Sequence, residues 1–200
     1  MVSDPKHARL PAAVADSSGP SDASSLNAAI HEAVSLHAHD PAWARAFALE
    51  RDRLQAIVPG VFVAIEHIGS TAVPGLVAKP VVDILAAVAS LADVDALIDR
   101  LCSNGYTTSA AFNATLVDRK WLMRWRDGHR THHLHIVVAG GKPWNERIGF
   151  RDALRTRPDL AQRYAELKTA LAIEHRNDRG AYTDAKSAFV LAALDAIAPR

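Results

Sequence analysis

Residues 61–88, VFVAIEHIGSTAVPGLVAKPVVDILAAV, constrain the fold of this chain more than any other stretch. Two apolar runs rich in β-branched residues, VFVAIEHI and PVVDILAAV, flank the connector GSTAVPGLVAKP. Both have the length and composition of strands, the first partly alternating and the second largely buried. Inside the second run stands one carboxylate, Asp83. A carboxylate is costly to bury unless it is paired or bound to a cation. Alternation puts Val81, Asp83 and Leu85 on one face and Val82, Ile84 and Ala86 on the other. The Asp83 face is therefore expected to open onto a polar site.

The rest of the chain reads as helices around a few strands. HDPAWARAFALERDRLQAIV predicts a helix, with Asp40 as N-cap, Pro41 at the first helical position, and Trp43, Phe47, Leu54 and Val58 near helical spacing. LADVDALIDRLCSNGY predicts a second, stopped at Asn104-Gly105. AAIHEAVSLH fits a helix or a strand, and residues 107–120 fit a strand or a loop. KWLMRWR, DGHR and HHLHIVV predict a hairpin closed by an Asp-Gly turn. From residue 141 onward the pattern is helical, strongest in PDLAQRYAELKTALAIEH and YTDAKSAFVLAALDAI. Central strands with helices before and after indicate a mixed α/β or α+β domain. Residues 1–28 are rich in Ala, Ser, Asp and Pro and poor in large apolar side chains, so a disordered tail is expected before a single domain at 29–200.

Composition narrows the partners. A net charge of +1 and no basic stripe argue against nucleic acid and anionic membranes. No apolar run reaches the roughly 20 residues of a membrane span, and the N-terminus lacks the apolar core of a secretory signal, so a cytoplasmic location is expected. Cys102 is the sole cysteine, which excludes an intrachain disulfide and a Cys-based zinc cluster. No apolar seam specifies an oligomer.

The candidate chemistry lies in four elements. Gly69-Ser70-Thr71, where a strand enters a turn, is either an ordinary turn or a cradle for an anion made of backbone N–H groups and hydroxyls. It is not a P-loop, because Gly75 and Lys79 lack that motif's spacing. Asp83 is either paired, for example with Lys79, or holds a hard cation such as Mg²⁺. In HHLHIVV, His133 and His135 share a face with Val137, opposite His132, Leu134 and Ile136. With His67 and Asp83 they would form a metal set, or else touch phosphate, orient a hydroxyl or accept a proton. Arg151, Lys168, Arg179 and Lys186 on the late helices are candidates to reach a phosphate.

The segments DPAWARAF, IEHIGSTAVPGLVAKPVVDILAAV, HHLHIVV, FRDALRTRPDLAQRYAELKTALA and DRGAYTDAKSAFV, with Gly105-Tyr106 and Trp144, together resemble the GrpB family over roughly residues 33–195. That family is assigned to the nucleotidyltransferase superfamily, with a polymerase-β-like fold, which implies an α+β domain whose short mixed sheet is flanked by helices. The resemblance implies that Gly69 and Ser70, with Thr71, bind nucleotide phosphate, and that Asp83 holds Mg²⁺. It makes His135 and His133 the groups that orient or deprotonate a small-molecule acceptor, with Lys79 and Lys186 neutralising phosphate. His67 joins Asp83 as a candidate metal ligand. The implied reaction moves a nucleotidyl group from an NTP to that acceptor. A non-catalytic nucleotide- or phosphoester-binding module and a His/Asp metal-binding protein or hydrolase are the alternatives. The chain departs from the superfamily pattern in two places. Val81 stands where a second carboxylate is usual, and His133 and His135 stand where a third is expected.

Overall fold

The computed structural model describes residues 33–92, 94–126 and 129–197. The expected tail at 1–28 and the Asp127-Gly128 turn lie outside the described residues. In chain order the elements are α1 (Ala42–Ile57), β1 (Ala64–Ile68), a 3₁₀ turn (Ser70–Ala72), β2 (Val82–Val88) and α2 (Val94–Cys102). Then come β3 (Tyr106–Thr107), α3 (Ala110–Ala114), β4 (Arg119–Arg126) and β5 (His129–Val138). Four helices end the chain: α4 (Lys142–Thr156), α5 (Pro158–Glu174), α6 (Arg179–Asp184) and α7 (Ser187–Asp195). The five strands form one sheet in the order β1-β2-β5-β4-β3. Among the described strands only β2 and β5 run parallel, so the sheet is mixed, as the resemblance implies.

α1 starts one residue later than expected: Pro41 is the N-cap, and the Asp40 carboxylate just before it accepts from the Ala42 N–H at 2.8 Å. Trp43 and Leu54 of α1, with Val58 just beyond it, and Leu97 and Leu101 of α2 bury their apolar side against Ile84, Ala86, Leu122, Leu134 and Ile136. That is the core face of the sheet. Among the described residues it contains one buried anion, Glu50, only 3% exposed. Tyr106 donates to it at 2.6 Å, and Arg53 and Arg124 pair with it, tying α1 to β3 and β4. Burial pushes the Glu50 pKa up, but the Tyr106 hydrogen bond and the Arg124 charge outweigh it, and the net shift is downward.

The two ambiguous segments resolve differently. Of the first, residues 28–32 lie outside the described residues, and 33–37 are neither helix nor strand, with His37 bridging to Ala78 through backbone hydrogen bonds. Residues 109–116 hold a short helix capped by Ser109, and Asn113 bonds both the N–H and the carbonyl of Trp121. The late helices pack around Phe150, Leu154, Leu160, Tyr164 and Phe189, and they enclose Val73 and Leu76 of the 69–80 connector. Arg155 donates twice to the Ala72 carbonyl, and Arg151 bonds Glu66 and the His67 carbonyl. The connector is thus held between the sheet and the C-terminal helices.

Candidate functional site

Register fixes which side chains meet. Asp83 on β2 lies beside His133 on β5, and Leu85 beside His135. On β4, Trp121 opposes His135 and Met123 opposes His133. Asp83, His133, His135, Trp121 and Met123 therefore share the face opposite the α1/α2 core. Asp83 Oδ1 is 2.9 Å from His133 Nδ1, and one donor atom from each of Asp83, His133 and His135 lies within 4.8 Å of the others. The Asp83 side chain is 30% exposed and that of His133 15%, so the group is half-buried yet open to a ligand. Two ring nitrogens, His133 Nε2 and His135 Nδ1, are buried with no hydrogen-bond partner.

The Gly-Ser turn borders this group. Gly69 has φ 72 and ψ −172, and a Cβ there would stand 2.3 Å from Asp83 Oδ2. Only glycine lets the backbone come this close to the carboxylate in that conformation. Ser70, next in the chain, accepts a hydrogen bond from Lys168 Nζ at 2.9 Å. Lys168 is 2% exposed, also donates to the Val77 carbonyl, and lies 4.9 Å over the Tyr164 ring. Burial, then the Lys186 charge, pushes its pKa down to about 7.

Cations ring the trio. Lys79 and Lys186 sit at 5.1 and 4.1 Å from the Tyr182 ring, which is itself buried. Burial, followed by Arg179 and Lys186, holds Lys79 well below its usual range. Burial lowers Lys186 to about 8, the Asp83 charge opposing and Arg179 adding. Arg130 and Arg179 act on His133, and Arg147 on His135. Burial first, then Arg119, lowers Arg147 to about 10. Both histidines are neutral at pH 7: burial lowers His133 to about 4 against the Asp83 hydrogen bond, and lowers His135 well below its usual value. For Asp83, burial pushes upward, but the His133 hydrogen bond wins, helped by the His133 and His135 charges once acid protonates those rings and by Lys79, leaving it an anion well below the usual carboxylate range.

Of the residues expected from sequence, the structure brings Gly69, Asp83, His133 and His135 together, with Lys79 and Lys186 within electrostatic reach. Ser70 lies beside them, held by Lys168. His67 requires correction as a metal ligand. It pairs with Ile84 while Ile68 pairs with Asp83, so alternation sends its ring to the core face. There it stacks on Phe47 at 4.8 Å and bonds the Thr71 hydroxyl at 3.0 Å. Thr71 is thereby turned to His67 rather than to a phosphate. Glu66 is on the site face, but Arg151 holds it at 2.7 Å. Arg130 and Arg147 went unmarked in the sequence. Between β4 and β5 the register shifts at Arg124/Trp125, which leaves Thr131 as an extra residue. That bulge moves Arg130 from the core parity to the face of Trp125, Met123 and His133. Arg147 could have been found from its position one turn before Arg151 on α4.

Lys168 offers a direct check on this charge arrangement. Its folded pKa is below the unfolded value, so the unfolded chain holds the extra proton between about pH 7 and 10. Stability from this group therefore rises with pH, by up to about 1.4 kcal/mol per pH unit. Lys168→Met is expected to keep the wild-type melting temperature or raise it at pH 7, because a buried cation without a carboxylate is removed. It should also flatten the gain between pH 7 and 9, read by urea unfolding at both pH values.

Comparison with known proteins places the chain. A family model described as GrpB protein matches residues 33–196. The chain is 37% identical over 162 residues to the glutamate-rich protein GrpB of Alkalihalophilus pseudofirmus, covering 78% of this chain and 91% of that one. It is 32% identical over 157 residues to UPF0157 protein YqkA of Bacillus subtilis, covering 78% of this chain but 45% of that longer protein. The crystal structure of conserved protein GrpB from Enterococcus faecalis superposes with a TM-score of 0.73 at 32% identity, covering 81% of this chain and 96% of that one. The chain belongs to the GrpB family.

Proposed function

We propose that the Asp83–His133–His135 face binds a nucleoside triphosphate and moves its nucleotidyl group to a small-molecule acceptor. One observation carries the reading: Lys79, Arg130, Arg147, Arg179 and Lys186 all act on a group whose carboxylate is Asp83. Burial first, and then the repulsion of neighbouring cations, lowers both lysines. A polyphosphate relieves that repulsion and restores their charge. Lys79 and Lys186 then neutralise phosphate. Gly69, whose backbone meets Asp83, brings the Ser70 hydroxyl to the rim. With no metal on its ring, a neutral imidazole, His135 or His133, is a competent acceptor for the proton of an attacking hydroxyl.

The magnesium implied by the resemblance does not fit these residues. Mg²⁺ demands oxygen ligands in near-octahedral array. Here two donors are imidazoles, the next carboxylate on the face is held by Arg151, and Val81 is buried apolar. The same shortage of carboxylates favours a second reading, a nucleotide-binding module without turnover. Release of pyrophosphate in the presence of candidate acceptors, abolished by Asp83→Ala in a still-folded protein, separates enzyme from module.

Binding itself has two expected signatures. At 100 times its dissociation constant an NTP adds about 2.7 kcal/mol, a rise of about 5–10 °C in melting temperature for a chain of this size. At pH 8 the complex should also take up protons as Lys186 and Lys79 regain charge, seen as a buffer-dependent heat in calorimetry. If neither NTPs nor pyrophosphate move the transition, with or without divalent ions, the phosphate reading fails.

A further inference from the structure

The misfit with magnesium points to a different ion. We propose that Asp83, His133 and His135 bind one divalent transition metal of the Zn²⁺/Co²⁺/Mn²⁺/Fe²⁺ class, in place of Mg²⁺, with the phosphate-bearing ligand completing its coordination. The last clause rests on the nucleotide reading above; the protein part of the metal site does not.

Three observations support it. The donor atoms of the three side chains lie within 4.8 Å of one another, so an adjustment of about 1 Å brings them to the bond lengths of roughly 2.0–2.2 Å that imidazole and carboxylate make. The set is nitrogen-rich, and imidazole suits these borderline ions where Mg²⁺ prefers oxygen. Most directly, His135 Nδ1 is buried with nothing to bond, which costs about 1–3 kcal/mol. A metal ion takes up that lone pair. On His133 the nitrogen beside Asp83 is Nδ1, so Nδ1 and the carboxylate share the ion in place of their hydrogen bond, with the ring proton on Nε2.

The scaffold is rigid as well. Asp83 and His133 are register partners on neighbouring strands, and His135 is two residues along the same strand. Sites built on paired strands hold ligand geometry better than loops do. The surrounding cations oppose a lone metal ion. A phosphate bridging ion and cations removes that repulsion, so metal and phosphate should each strengthen the other's binding by the same factor.

The test uses the full chain without a histidine tag, stripped by chelator and titrated with Co²⁺. The expected result is one Co²⁺ per chain with visible absorption, displaced by Zn²⁺ and not by millimolar Mg²⁺, and bound more tightly when pyrophosphate is present. His135→Asn and His133→Asn, each checked for fold by circular dichroism and melting, should weaken Co²⁺ about 10–100-fold. The site is overturned if Mg²⁺ competes equally, or if folded histidine variants bind Co²⁺ as the wild type does. Should a variant unfold, the wild-type titration still decides, since lack of a displaceable one-to-one signal overturns the proposal. Pyrophosphate binding to the stripped protein is measured separately by calorimetry. Pyrophosphate without Co²⁺ removes the metal site alone, whereas Co²⁺ without pyrophosphate keeps the metal site and removes the phosphate reading.

Discussion

Gly69→Ala is expected to lower the melting temperature by about 6–12 °C and to abolish Co²⁺ and nucleotide binding together. Two separate costs act at this position. With φ 72 and ψ −172 the residue occupies a region almost closed to side-chain-bearing residues, which costs about 1–3 kcal/mol. The added Cβ would also lie 2.3 Å from Asp83 Oδ2 and 3.0 Å from Asp83 Cβ and Cγ. Asp83 cannot yield cheaply, because β2 is paired on both sides and its carboxylate is bonded to His133. A combined loss near 3 kcal/mol corresponds to that melting shift in a chain of this length. Gly75 is the control. Its φ is 78, but nothing lies within 4 Å of a Cβ built there. Gly75→Ala should therefore bear a backbone cost of about 1–2 kcal/mol and leave ligand binding intact. Thermal unfolding with Co²⁺ titration of both variants reads the difference. A folded Gly69→Ala protein that binds Co²⁺ normally would mean that the turn does not shape the site.

The contrast between these two glycines marks where sequence reading succeeds. Each strand's own alternation places Asp83 opposite Ile84, and His133 with His135, without any knowledge of neighbours. Those residues were legible for that reason. His67 was misplaced because its relation to Asp83 depends on the β1/β2 register, which one strand does not contain. A one-residue change in pairing would have sent it to the other face. Arg130 was hidden by a bulge, a single unpaired residue that reverses parity and has no glycine to signal it. Lys168 carried no mark of its burial either. On a helix it reads as a solvated cation, and only the packing of α5 over the connector encloses it. The helix at Ala110–Ala114 is too short for apolar periodicity, and it is set by Ser109 and Asn113 hydrogen bonds instead. The fold class follows from local patterns. The charge around the site follows from long-range register.

Acid should expose that charge arrangement even without a ligand. Burial lowers the pKa values of His67 and His133 to about 4, and those of His132 and His135 also fall below the usual imidazole value. In each case the unfolded imidazole titrates near 6.5 and the folded one lower. As pH falls through 6.5 the unfolded chain binds protons that the folded chain refuses, so stability drops, and it keeps dropping until the folded pKa is reached. For a group displaced from 6.5 to 4, the loss between pH 7.5 and 5.5 is about 1.3 kcal/mol. His67 and His133 together then contribute about 2–3 kcal/mol, with His132 and His135 adding in the same direction. That is a large share of a typical stability of about 5–15 kcal/mol. Glu50 and Asp83 act later. Their folded pKa values lie below the unfolded ones, so their stabilisation is lost only as pH falls through the carboxylate range. Urea unfolding at pH 7.5 and 5.5 should show the first loss clearly, and His67→Asn should reduce it, since that imidazole is stacked on Phe47 away from the ligand face. Equal stability at the two pH values would mean that these imidazoles are not held neutral by the fold, and the proton-accepting role given to His133 or His135 would go with it.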